Sequence, residues 1–149
     1  MSRLAIVYAR NRDFIVQPNS KTTAGFYIGT EPIELLPSDV SDGDLGAAIR
    51  RALNASQTGI AVPTNRKADL EPLFQLARIR NWNELQKTAT MCEIESAGNE
   101  FRITPSSNGG AIGPNKGYHS LIHQTISLPF TCTDQDLSAA VRQAIEHCT

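Results

Sequence analysis

The 149-residue chain contains no apolar run approaching the 18 or so residues that a membrane helix requires. Its opening, Met1-Ser2-Arg3-Leu4-Ala5-Ile6-Val7-Tyr8, is basic and then apolar, but the run breaks at Arg10 and has no small-residue cleavage site. It therefore reads as a first strand and not as a leader. Cysteine is scarce and odd in number: Cys92, Cys132 and Cys148 lack metal-site spacing and make a poor disulfide framework, which fits a reducing, cytoplasmic setting. There is no excess of charge, the formal net value being −1, so the field that a general phosphate-backbone binder needs is missing. What remains is a composition 40% hydrophobic and 19% charged, which predicts one soluble globular domain over residues 1–149 with a core that needs no staples.

Catalytic and metal-binding patterns are also missing. His119 and His123 stand four apart in a predicted strand, but no third ligand is locally spaced, so the pair reads as ordinary strand histidines. Cys132 precedes a predicted helix start, where a thiol can be acidified, and a nucleophile pair with His119 or His123 is one alternative. No family-type cysteine signature surrounds it, and a buried, inert thiol is the better reading. The run Ser106-Ser107-Asn108-Gly109-Gly110-Ala111-Ile112-Gly113-Pro114-Asn115-Lys116-Gly117 fails the phosphate-loop pattern, because Gly117 stands where Ser or Thr is needed and a strand follows. It is expected to be a glycine-rich surface loop, a type of segment that often carries recognition. No metal, cofactor or catalytic residue is assigned.

What is present is an internal repeat, which has to be settled first because it shapes the whole fold. Leu36-Pro37 through Asp42-x-Asp44-Leu45 to Ala47-Ala48-Ile49-Arg50-x-Ala52-Leu53 returns 92 residues later. The second copy runs from Leu128-Pro129 through Asp134-x-Asp136-Leu137 to Ala139-Ala140-Val141-Arg142-x-Ala144-Ile145. Each copy reads as a strand closed by proline and then a helix with Ser41 or Thr133 as N-cap and Asp44 or Asp136 at the capping-box position. Leu45, Ala48, Ile49, Ala52 and Leu53 fall on one stripe, as do Leu137, Ala140, Val141, Ala144 and Ile145. Upstream, Phe14-x-Val16-x-Pro18-x-Ser20 matches Phe101-x-Ile103-x-Pro105-x-Ser107, each preceded by a polar turn and an alternating run, a hairpin signal. The expected fold is α+β: a mainly antiparallel sheet of about six strands built from two pseudo-repeated β-β-β-α units, 3–56 and 89–148, with both helices on the sheet.

Residues 57–88 belong to neither copy and form a helical insert. Gly59 to Pro63 is expected to be a short strand ending at the proline. A helix follows from Lys67 or later to Arg78, with Pro72 in or near its first turn. Asn81 caps a short helix with Glu84 at the box position, and Trp82, Leu85 and Ala89 can face inward. Trp82 is either a seam residue or a partner anchor, since tryptophan is enriched at binding hot spots.

The ordered set Ile33-Glu34-Leu35-Leu36-Pro37, Ser41-Asp42-x-Asp44-Leu45-Gly46, Ala52-Leu53-Asn54-x-Ser56, Leu73-Phe74, Ile79-Arg80-Asn81-Trp82, Phe101-Arg102-Ile103-Thr104-Pro105 and Asp134-x-Asp136-Leu137 resembles the immunity proteins of bacterial contact-dependent growth inhibition (CdiI). The resemblance covers roughly residues 25 to 145 and implies a cytoplasmic, non-enzymatic inhibitor. Its implied partner is the C-terminal toxin domain of a cognate CdiA-type effector, commonly a nuclease, with no direct nucleic-acid or membrane contact. The near-neutral charge departs from the acidic balance expected of a mask for a basic cleft. Partner contact is expected at Glu93, Glu95, Glu100, Asn108, Lys116, Tyr118 and His119, with Trp82. A cysteine/histidine-dependent enzyme and a small-molecule-binding regulatory domain are the alternatives.

Overall fold

In the computed structural model, which describes residues 2–149, the alternating runs become two long hairpins. These are β1 (Arg3–Ala9) with β2 (Asp13–Thr22), and β6 (Thr90–Ala97) with β7 (Glu100–Asn108). The hairpins join along β1 and β6, which pair antiparallel from Arg3↔Ser96 to Ala9↔Thr90. Outside β2 lie β3 (Tyr27–Gly29) and β4 (Glu34–Pro37), and outside β7 lie β8 (Tyr118–Ser120) and β9 (Ile126–Pro129). The order across the sheet is β3-β2-β1-β6-β7-β8, with β4 and β9 beside the other ends of β2 and β7. The result is a curled antiparallel sheet six strands wide.

The single outer strand expected in each half is thus broken in two. On one side the break spans Thr30 to Ile33 and contains the cis peptide Glu31–Pro32. On the other it contains a 3-10 turn, Ile122–Gln124, so His123 lies outside the strand that holds His119. A ninth strand, β5 (Thr58–Ile60), adds to β2 in parallel and ends before Pro63.

One face of the sheet carries α1 (Asp42–Ala55) and α4 (Asp134–Glu146). Every apolar stripe position of α1 is buried, and Leu137, Ala140, Val141 and Ala144 of α4 are buried beside Val7, Val16, Ile94 and Ile103. Ser41 and Thr133 accept from the N–H groups of Asp44 and Asp136, and the Thr133 N–H donates in return to the Asp136 carboxylate, which completes the box. The two helices exchange arginines. Arg50 of α1 bonds Asp134 and the Cys132 carbonyl with its guanidinium 5.2 Å from the Phe101 ring. Arg142 of α4 bonds Asp42 and the Val40 carbonyl, both at 2.8 Å, and lies 5.3 Å from the Phe14 ring. Gly46 lets α1 touch the backbone of α4: a Cβ there would collide with the Asp134 carbonyl.

The other face is covered over only part of its area, by α2 (Arg66–Ala77) and α3 (Trp82–Thr88). Leu73, Ala77, Leu85 and Ala89 pack on Ile6, Tyr8, Ile15 and Met91. Helix α2 starts at Arg66, capped by Asn65, earlier than expected, and Pro72 lies in its interior and not in the first turn. The Ala68 carbonyl therefore has no N–H at position 72 to accept from.

Candidate protein-binding surface

Residues paired directly across an antiparallel ladder share a face of the sheet. Ile6, a core residue of the face under α2, pairs with Glu93, and Glu93 pairs with Thr104. One row further along, Leu4 pairs with Glu95 and Glu95 with Arg102. Glu93 and Glu95 therefore project from the face that α2 and α3 leave partly open, away from α1 and α4. Arg102 donates to Glu95 at 3.0 Å and to Glu100 at 2.8 Å, holding two of the three carboxylates and leaving a net acidic patch.

Glu93 differs from its neighbours. Burial raises its pKa, and a hydrogen bond from Ser120 and the charge of Glu95 act in opposite senses on that shift. Beside it, Tyr8 is buried at the centre of an aromatic group, with Trp82 edge-on at 6.2 Å and Tyr118 tilted at 6.3 Å. Tyr118 donates to the Ala89 carbonyl at 2.8 Å, and burial pushes its pKa up to about 12. Trp82 is half-buried and belongs to the apolar cluster beneath α2 and α3.

Asn108 ends β7, Lys116 lies in the connection that follows, and His119 stands within β8. Here the glycine-rich segment is tied into a defined shape. Gly109 donates to Gly117 at 2.8 Å, Gly117 donates to Gly110 at 3.0 Å, and the Asn108 amide donates to the Gln86 carbonyl at 2.6 Å. Asn108 thereby anchors the loop to α3. Lys116 and His119 are exposed, and the His119 Nε2 lies 2.9 Å from the Asn115 carbonyl.

The structure gathers five of the eight expected residues into two groups on this face and leaves Asn108, Lys116 and His119 apart, along the β7–β8 edge. Trp82, Tyr118 and Glu93 surround Tyr8, and Glu95 and Glu100 are joined by Arg102. Sequence reasoning missed Tyr8, Arg102 and Ser120, because their neighbours are set by strand register, which leaves no local signal: Tyr8 pairs with Met91, Arg102 with Glu95 and Ser120 with Ser106. It also missed Ile112 and Ile122, which are 84% and 72% exposed. They lie on either side of β8 in the chain, Ile112 in the pinned loop before it and Ile122 in the 3-10 turn after it. Apolar identity in a loop was the available clue.

The alternative chemistry finds no support in the geometry. The Cys132 thiol is half-buried and its pKa is raised, burial outweighing the nearby Arg50 guanidinium. Cys92 is buried and pushed up further, and all three cysteines are free. Among the described residues, no group of three or more His, Cys, Asp or Glu side chains is placed to hold a metal, and no helix is long and apolar enough to cross a membrane.

Comparison with known proteins adds three findings. Residues 3–148 match the family described as CDI immunity protein. A protein of unknown function from Neisseria meningitidis superposes with a TM-score of 0.81 at 17% identity, covering 100% of this chain and 96% of that one. A structure described as a CdiA-CT/CdiI toxin and immunity complex from Yersinia pseudotuberculosis superposes with a TM-score of 0.79 at 18% identity, covering 100% and 98%. At these identities the superpositions establish a shared fold. No curated protein matches the sequence significantly.

Proposed function

The chain belongs to the CDI immunity protein family, and from that premise we propose that it binds and neutralises the C-terminal toxin domain of a cognate CdiA-type effector. It acts in the cytoplasm as a stoichiometric inhibitor and transforms nothing. The carrying observation is the family match over residues 3–148, nearly the whole chain. The fold it shares with the immunity protein of a toxin complex from Yersinia pseudotuberculosis is consistent with this role. The toxin it meets is a nuclease, and the partly open sheet face with its acidic patch suits a basic cleft better than the overall charge of −1 suggests.

The contact surface on this reading comprises Glu93, Glu95, Glu100, Lys116, Tyr118 and His119, with Asn108 and Trp82 holding its backbone and floor. Ile112 and Ile122 supply what acidic residues do not. Burying a fully exposed isoleucine is worth about 1.5–3 kcal/mol, and both are held on hydrogen-bonded turns that lose little freedom on binding. The same chain is one domain made by doubling a strand-rich unit, residues 3–56 and 89–148, with 57–88 inserted between them. The reciprocal Arg50 and Arg142 contacts support that history.

Growth of cells expressing the toxin domain encoded beside this gene tests the proposal. Co-expression of the chain is expected to restore growth. Continued arrest, with both proteins soluble and no complex recovered, overturns it.

A further inference from the structure

The row of paired residues Glu93, Ile6 and Gln17 crosses three adjacent strands of the partly open face. Neighbouring strands lie roughly 4.8 Å apart, so Gln17 is only about 10 Å from Glu93. It lines a cleft of about 670 Å³ bounded by β3, the 30–33 connection, the 60–65 segment and the start of α2. That volume falls within the range of sites that hold ligands.

Three features define what the cleft accepts. Gln17 is 5% exposed, yet its carboxamide makes no hydrogen bond to any described residue. It lies flat against Gly29, where a Cβ would stand 2.5 Å from its Nε2, so the glycine is what allows the amide its position. Its polar atoms are not sealed off from the cleft, so a ligand seated there can reach the carboxamide. The walls are aliphatic, with Ile28, Ile60, Val62 and Pro72. The rim carries Glu31 and Asp69, both exposed and without an ion-pair partner, and no lysine or arginine lines the site. Pro72 adds to the acceptor surplus by offering no N–H to the Ala68 carbonyl.

We propose that this cleft seats an extended segment of the toxin domain in which an aliphatic side chain is flanked by lysine or arginine, with a peptide group paired to the Gln17 carboxamide. This rests on the immunity reading above and deepens it. A peptide group presents one donor and one acceptor side by side, as the carboxamide does. The aliphatic side chain fills the walls, and the flanking cations meet Glu31 and Asp69. The cleft and the acidic patch lie on the same face, to either side of the buried Ile6, and a specific interface of about 20–30 residues a side is large enough to reach both.

The affinity of the full chain for the purified toxin domain tests the proposal when wild type is compared with E31K, the E31K/D69K double variant and E146K. Glu146 is exposed at the end of α4, on the opposite side of the sheet, and controls for net charge. The double variant is expected to bind at least about tenfold more weakly at low salt, E31K less so, and E146K within about twofold of wild type. E31K lies outside every helix and keeps the test valid should D69K weaken the first turn of α2. Binding of E31K and of the double variant within twofold of wild type overturns the cleft assignment and leaves the immunity reading intact. Equal weakening by E146K also overturns it, by assigning the effect to net charge. Absence of binding by wild type overturns both.

Discussion

Glu93 joins the open part of the sheet to the covered part. It faces Ile6 across one ladder and Thr104 across the other, with Ser120 as hydrogen-bond partner. Because burial raises its pKa, the folded chain holds that proton to higher pH than the unfolded chain does. The sign follows from linkage: the native state binds more protons, so the contribution of Glu93 to stability is most favourable at low pH and is lost as pH rises through its folded pKa. Replacement by glutamine removes the ionisation and keeps a polar group beside Ser120. Thermal unfolding is expected to show E93Q gaining on wild type as pH rises from about 4, near the unfolded value, to 7. A constant difference across that range contradicts the assignment. None of this was legible from the acidic spacing of Glu93 and Glu95 alone, since which carboxylate is buried depends on strands that meet from opposite ends of the chain.

At the scale of elements, the two capped helices were the most legible part of the sequence. Their stripes, caps and proline stops are local chemistry, and the buried positions of α1 are those the spacing predicts. The breaks in the outer strands were not legible, because either a continuous strand or two short ones satisfies the same alternation. Pro72 misled for a related reason. Its position suggests a helix start, but Asn65 caps earlier and packing of Leu73 and Ala77 holds the interior proline in place. Gly46 marks where tertiary contact outweighs propensity. Alanine there gains about 1 kcal/mol of helix propensity, yet its Cβ meets the Asp134 backbone. Forcing α1 away from α4 is expected to cost about 1–3 kcal/mol, so G46A should melt lower than wild type. In α4 the corresponding residue, Ser138, already carries a side chain bonded to Asp42 at 3.0 Å. S138A is therefore expected to cost less than G46A, and denaturant unfolding of the pair checks the order. G46A at or above wild-type stability contradicts the close approach.

For the whole molecule, one sheet face builds the core and the other is left partly open. Helices α1 and α4 cover the first, while α2 and α3 cover only a part of the second. The candidate contacts were legible to the extent that loops and acidic residues stand out. Tyr8, Arg102, Gln17 and the exposed Ile112 and Ile122 required coordinates, because their roles depend on cross-strand partners or on exposure. The role proposed for this surface is to hold another polypeptide, which makes stoichiometry the decisive quantity. Titration calorimetry of the purified chain with the toxin domain of the neighbouring gene measures it directly. A saturable one-to-one complex that forms at nanomolar concentrations, with the toxin recovered chemically unchanged, is the predicted result. No heat of binding at micromolar concentrations, or a toxin consumed by substoichiometric amounts of the chain, would contradict it.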